Sequence, residues 1–207
     1  REWEETGRKN YSVTGLLGYL YAKSAFEGVG ASARFAPLDR LAMKEIAAGW
    51  RDFDIHGKAT AALLLASRGD VKTASLILES LSQFASSDKS KGTWFDNLGS
   101  SWNGAGKLLT TARVLRAYAR LQPDNGIIDG LRQWLVLSRQ TEDWGADGNL
   151  AEVTAAILGS GTDWTGSTSL PEVTLGGKIV TPDRAAALTG AFTVTLPVRE
   201  ASGAGLR

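Results

Sequence analysis

The sequence predicts a mainly α protein of helical hairpins that ends in a short antiparallel β segment. Two observations predict the helices: apolar residues recur at helical spacing over most of the first 160 residues, and short links rich in Gly, Asp and Pro separate these stretches. A third observation predicts the β segment, because beyond residue 160 Thr, Gly, Val and Pro dominate and apolar residues alternate with polar ones. We therefore divide the chain into a helical region, 1–160, and a β region, 161–207.

Composition excludes several classes of function. The 207 residues are 43% hydrophobic and 22% charged, enough for one sizeable core. The net charge is +1 and basic residues are scattered, so we expect neither a nucleic-acid partner nor membrane contact. The absence of Cys excludes disulfides, thiolate metal sites and Cys nucleophiles. Because the chain begins at Arg1 without a signal pattern, we expect it to be a fragment of a longer protein.

The first two predicted helices cover 11–27 and 37–50. Pro37 suits a first helical turn, where its missing N–H costs nothing. The residues that we expect to face inward are Leu16, Leu17, Leu20 and Tyr21 on the first helix, and Leu38, Leu41, Ala42, Ile46 and Ala47 on the second.

A first hairpin follows, with helices at 57–68 and 71–85. Arg-Gly-Asp at 68–70 predicts a tight corner, since Gly suits the left-handed position after a helix and Asp suits the next N-cap. So short a link makes the two helices antiparallel neighbours. The predicted inward residues are Ala61, Leu64, Leu65, Val71, Ala74, Ile77, Leu78, Leu81 and Phe84.

A polar stretch at 86–103 predicts a loop, and a second hairpin follows it. Its turn is Gln-Pro-Asp-Asn-Gly at 122–126, and a short last helix covers 149–159. The spacing of about 50 residues between hairpins is typical of helical repeats. The predicted inward residues are Leu108, Ala112, Leu115, Ala119, Ile127, Ile128, Leu131, Trp134, Leu135, Val153, Ala156, Ile157 and Leu158.

Trp, Gly and acidic residues occur together at 49–54, 92–97 and 139–148. We interpret these stretches as corners that close the ends of helical hairpins. If they met at one end of a helical barrel, they would place paired carboxylates beside aromatic rings, as a glycoside hydrolase requires. The simpler interpretation, which the sequence favours, is that Asp caps helices and Trp fills the corners. The candidate carboxylates are Asp52, Asp54, Asp96, Asp143, Asp147 and Glu152.

Motifs for cofactors and metals are not found in the sequence. His56 is the only histidine, and without Cys or a second His it cannot build an imidazole metal site. Its place at a helix start predicts a position near the surface. We therefore assign no catalytic, cofactor-binding or metal-binding residue and expect no cofactor.

The β region carries strand patterns at 173–175, 178–180 and 192–196, and Gly-Gly at 176–177 predicts a two-residue hairpin turn. About three strands are marginally stable alone. We therefore expect this region either to belong to an adjoining β-sandwich-type domain or to pack on the helices.

Five sequence motifs together carry a family resemblance. Trp-Leu-Val at 134–136 is followed by Arg-Gln-Thr-Glu-Asp-Trp-Gly at 139–145 and by Ala-Glu-Val-Thr-Ala-Ala-Ile-Leu at 151–158. Gly-Thr-Asp-Trp at 161–164 and Pro-Glu-Val-Thr-Leu-Gly-Gly at 171–177 complete the series. The series resembles bacterial α2-macroglobulin-like proteins of the Bacteroidetes type. The match is specific over about 130–180 and looser over 11–125.

The resemblance implies that residues 1–160 are the C-terminal half of an α/α-toroid, the fold of terpenoid cyclases and of the thioester-containing domains of complement and α2-macroglobulin proteins. It implies an endopeptidase inhibitor of the bacterial cell envelope, in the periplasm or at the cell surface, either as a free protein or as part of a lipoprotein. Such proteins cage a protease after it cuts a bait region. The expected partners are proteases, through the parent protein, and other domains of the same chain. Because the sequence has no Cys, no thioester lies in these residues.

Two other functions stay open at this point. An α/α-barrel glycosidase or lyase would use the corner carboxylates, and it requires Asp96, Asp143 and Glu152 to share an open pocket. A helical-repeat scaffold would only bind a partner, and it requires a concave surface.

Overall fold

The computed structural model describes residues 12–26, 35–96, 106–141, 144 and 147–161, together with residue 195 and four short strands beyond residue 170. It divides into two compact units, Arg1–Gly161 and Thr162–Arg207. The mainly α class with a short antiparallel β segment is confirmed.

Seven α-helices form the described part of the first unit, with a 3₁₀ turn, Trp50–Asp52, after the second. The helices are α1 (Val13–Ser24), α2 (Ala36–Gly49), α3 (Ile55–Ser67), α4 (Val71–Ser82), α5 (Lys107–Leu121), α6 (Ile127–Thr141) and α7 (Asp147–Gly159). None of these helices is long and apolar enough to cross a membrane.

The helices alternate between two layers. Helices α1, α3, α5 and α7 pack side by side in chain order, and we call them the inner helices. Each of α2, α4 and α6 packs against the inner helix before it and, less closely, against the one after it. Stacked helical hairpins produce this alternation, and it is the arrangement expected of part of an α/α-toroid.

Asp side chains and a glycine set the bounds of α3 and α4. The carboxylate of Asp54 accepts a hydrogen bond of 2.7 Å from the Gly57 N–H, and Asp70 accepts one of 3.1 Å from the Thr73 N–H. Gly69 has a φ of +92°, the left-handed conformation that glycine adopts most readily. The predicted corner at 68–70 therefore forms as expected.

A continuous apolar core runs between the two layers. Most of the predicted inward residues are buried, including Leu20, Ile46, Leu78, Leu115 and Leu135. The prediction was wrong for Val71, Phe84 and Leu158, whose side chains are exposed. Val71 is the first residue of α4, Phe84 lies beyond the end of that helix, and Leu158 lies in the last turn of α7.

The stretch after α4 corrects two predictions. Strand β1 (Ala85–Asp88) pairs antiparallel with β2 (Gly92–Phe95), where we predicted a loop. The second Trp-rich stretch is therefore a strand followed by Asp96, and it packs on α6. Gly92 has a φ of +89°, and a Cβ on it would lie 2.8 Å from the Trp134 amide nitrogen. Trp94 stacks on Trp134 with ring centroids 6.3 Å apart.

The second unit contains four two-residue strands among its described residues. Strand β3 (Thr174–Leu175) pairs antiparallel with β4 (Lys178–Ile179), which leaves two residues for the predicted hairpin turn. Strand β5 (Arg184–Ala185) pairs antiparallel with β6 (Phe192–Thr193). The sequence patterns did not indicate β5.

Candidate functional site

Side chains from all four inner helices meet in one polar cluster, which we call the inner cluster. Its members are Tyr21 on α1, Thr60 on α3, Arg113 and Arg116 on α5, and Glu152 on α7. The contacts join residues 36 to 95 positions apart in the chain.

Arg113 lies at the centre of the inner cluster and is only 8% exposed. Its Nε donates to Glu152 Oε1 at 2.9 Å, and its Nη1 donates to Thr60 Oγ1 at 2.9 Å. The guanidinium carbon lies 3.9 Å from the centroid of the Tyr21 ring, within the range of a cation–π interaction. Burial of this cation is therefore compensated by a carboxylate, a hydroxyl and an aromatic face.

Arg116 binds the same carboxylate as Arg113. Its Nη1 donates to Oε1 and Oε2 of Glu152 at 3.1 and 3.2 Å, and to the Tyr21 hydroxyl at 2.9 Å. Burial by itself raises the pKa of Glu152, but the two guanidinium groups outweigh it and hold that pKa below its ordinary value. Glu152 is consequently a carboxylate near neutral pH and a poor general acid.

His56 lies at the edge of the inner cluster, as the second residue of α3. Burial, and then the positive charge of Arg113, lower its pKa to about 4, while Asp54 and Glu152 oppose the shift. The predicted helix-start position is correct, but the imidazole is half-buried rather than a surface group. It is therefore neutral at pH values above its ordinary pKa.

A cleft of about 560 Å³ lies beside the inner cluster, and all four inner helices line it. Tyr21 and Arg116 belong both to the inner cluster and to the wall of the cleft. Its other polar residues are Ser24, Ser67 and Arg120, and Leu63, Leu64, Ala119 and Ala155 supply apolar surface. This is a concave surface of the kind that a binding function requires.

The Trp-Gly corner between α6 and α7 is a packing element. Trp144 is 8% exposed, and its Nε1 donates to Ser138 Oγ at 3.2 Å. The Arg139 guanidinium lies 5.7 Å from the Trp144 ring centroid. These contacts attach the link between the helices to the last turn of α6. Asp143, one of the candidate carboxylates, lies outside the described residues.

The other candidate carboxylates at the corners lie in different local environments. Asp54 is the N-cap of α3, Asp52 is exposed in the 3₁₀ turn, and the side chain of Asp147 lies outside the described part of the chain. Asp96 accepts from Trp94 Nε1 at 3.1 Å and pairs with Lys107 Nζ at 3.0 Å. The function of Asp54 as a cap is confirmed.

Asp96 and Glu152 are held by different parts of α5. Asp96 pairs with the first residue of that helix, whereas Glu152 pairs with Arg113, six positions further on. Six residues advance a helix by about 9 Å and turn it through about one and two-thirds revolutions. The two acids are therefore attached to different turns of α5.

The sequence did not indicate Arg113, Arg116 or Tyr21 as functional residues. One feature of the sequence could have identified Arg113, which lies between the apolar residues Ala112 and Val114, both of which are buried. A charged residue inside a buried segment requires a partner. The described residues contain no group of three or more His or acidic side chains able to hold a metal ion.

Comparisons of this chain with protein-family models, with curated proteins and with solved structures find no match.

Proposed function

We propose that this chain is a non-catalytic helical segment of a bacterial α2-macroglobulin-like protein that traps proteases in the cell envelope. The observation that supports it is the alternation of inner and outer helices, which is expected of part of an α/α-toroid. The sequence resemblance over about 130–180 supplies the family, and the buried Trp144 corner lies inside that stretch.

The contacts of the acidic residues favour a structural role. Glu152 is neutralised by two arginines, Asp54 caps a helix and Asp96 pairs with Lys107. A hydrolase acid needs a raised pKa and an open position beside its substrate, whereas the pKa of Glu152 is lowered. These carboxylates stabilise the helical unit instead.

The proposed segment acts by caging, without a covalent step of its own. A thioester requires a Cys side chain, and none of the 207 residues is Cys. The role of the segment is then to form a rigid part of the cage that encloses the protease. The inner cluster suits that role, because it joins all four inner helices through charged hydrogen bonds.

The test uses the full-length protein that contains this segment, incubated in slight molar excess over a protease. A caged protease retains its activity towards a small chromogenic peptide and loses its activity towards a large protein substrate. We expect this size-dependent loss, together with cleavage of the inhibitor at one site. Equal loss of both activities, or no loss of either, would overturn the proposal.

The alternative is an α/α-barrel carbohydrate-active enzyme, a glycosidase or lyase. The observation that favours it is the Trp94 indole beside the Asp96 carboxylate, an aromatic surface next to an acid. Purified protein would then release reducing sugar from polysaccharides, and Asp96→Asn or Asp143→Ala would abolish the release. Asp129→Ala, which removes a carboxylate 87% exposed on α6, is the control and should leave the release unchanged.

A further inference from the structure

The described residues of the cleft between the inner helices carry an excess of positive charge. Arg116 and Arg120 line it, and none of its described lining residues is a carboxylate. Arg116 shares the single charge of Glu152 with Arg113, so that the inner cluster retains one positive charge. Arg120 adds a second positive charge. Because Arg116 and Arg120 are four residues apart on α5, their side chains project from the same face of the helix.

Among the described residues, donor groups on both arginines have no hydrogen-bond partner. All the hydrogen bonds of Arg116 within the described part of the chain come from Nη1, which leaves its Nε and Nη2 available. Arg120 is exposed and makes no hydrogen bond or ion pair with a described residue. A guanidinium with two free N–H groups on one edge matches the spacing of two oxygens of a carboxylate or phosphate.

The two serines of the cleft present acceptors. Ser24 Oγ donates to the Tyr21 carbonyl at 2.7 Å, and Ser67 Oγ donates to the Leu64 carbonyl at 2.8 Å. Each hydroxyl proton is thereby occupied, and the oxygen lone pairs are left to accept. A ligand that uses both kinds of group therefore carries an oxyanion for the arginines and hydroxyl donors for the serines.

We propose that this cleft binds a small hydroxylated organic oxyanion, a sugar acid or sugar phosphate. Arg116 and Arg120 hold the oxyanion, Ser24 and Ser67 accept from the ligand hydroxyls, and Leu63 and Ala155 contact its apolar face. The volume of about 560 Å³ lies within the range of small-molecule sites. A protease trap does not need this ligand, so failure of either proposal leaves the other standing.

The first test compares ligands by calorimetry at low ionic strength. Glucuronate and glucose 6-phosphate carry both chemical groups, glucose carries only hydroxyls, and acetate carries only a carboxylate. We expect glucuronate or glucose 6-phosphate to bind at least about tenfold more tightly than either single-group probe, since a charged hydrogen bond contributes about this factor. The tighter of the two identifies the class of oxyanion. Absence of binding by both, or equal binding of acetate, would overturn the proposal.

The second test compares two arginines that differ only in location. Arg120→Ala should weaken binding of the preferred probe about tenfold or more, and Arg120→Lys should restore part of the loss. The variants are compared at about 0.15 M salt, where exposed charges more than about 8 Å apart are largely screened. Arg40→Ala removes the same charge from the exposed surface of α2 and should change the affinity less than about twofold. Equal weakening by Arg40→Ala and Arg120→Ala would mean nonspecific charge attraction and would overturn the site.

Discussion

A single side chain at the edge of the inner cluster, His56, makes the stability of the protein depend on pH. The pKa of His56 is about 4 in the folded protein, against 6.5 for an ordinary histidine. Between these two values the unfolded chain takes up a proton that the folded protein does not. Stability is therefore lost as the pH falls through this window, and above it the residue has no effect.

The pH prediction concerns His56→Gln, which removes the titrating group and keeps a polar side chain. From about pH 7 to about pH 5, the wild type should lose about 1–2 kcal/mol more unfolding free energy than the variant. Urea unfolding monitored by circular dichroism at each pH measures the difference. Glu152 does not contribute to the difference between the two proteins. In the folded state its pKa lies below the ordinary value of 4.5, outside the pH range that is compared. Parallel pH profiles for the two proteins would contradict the prediction.

A second prediction at this scale concerns the ion pairs of Glu152. The Glu152→Gln substitution leaves Arg113 buried without a counter-charge, and we expect a loss of about 2–4 kcal/mol in unfolding free energy. The control is Asp129→Asn, which breaks the pair with Arg132 at 2.9 Å on the surface of α6. That pair has an 87% exposed carboxylate, and its loss should cost less than about 1 kcal/mol. Equal costs in urea unfolding would mean that the inner cluster is not a buried network.

At the scale of elements, the packing of β2 on α6 depends on two glycines. A Cβ on Gly130 would meet the side chain of Thr93, and one on Gly92 would meet the backbone of α6. The absence of both side chains allows the strand to approach the helix closely enough for Trp94 to stack on Trp134. The hairpin therefore attaches to the helical unit through a tight steric fit.

This fit predicts opposite effects for two glycine-to-alanine substitutions in helices. Gly130→Ala should destabilise the protein by about 1–3 kcal/mol, because the new methyl group displaces Thr93. Gly18→Ala, in α1, has no atom within 4 Å of the new Cβ and should stabilise the protein by about 0.5–1 kcal/mol through helix propensity. Thermal unfolding of both variants provides the comparison. A stabilising Gly130→Ala would show that the hairpin does not pack as described.

At the scale of the whole molecule, the first unit depends on the apolar core between its two layers. Leu131 of α6 is fully buried in that core. We expect Leu131→Ala to cost about 2–5 kcal/mol, because it leaves a cavity that the surrounding helices fill only in part. Val136→Ala on the exposed face of the same helix is the control and should cost less than about 1 kcal/mol. Similar thermal midpoints for the two variants would contradict the assignment of the core face.

Patterns of neighbouring residues were sufficient to predict much of the fold. Apolar spacing identified the helices, and the Gly-Asp corner at 68–70 predicted both the left-handed Gly69 and the Asp70 cap. The β hairpin at 85–95 was missed because both strands have only four residues and β1 is polar, and because β2 packs on α6, which is distant in the sequence. Propensity is a weak guide where tertiary contacts decide the conformation.

The sequence by itself determined the mainly α class, the hairpin order and most of the buried stripe, since these follow from interactions among residues a few positions apart. Only the tertiary structure decided which helices are inner, and it alone assembled the inner cluster and the cleft. Arg113 meets Thr60 across 53 positions of the chain, and Arg116 meets Tyr21 across 95. No local pattern reports such distant pairings, because they form only when packing of the apolar faces has brought the four inner helices together.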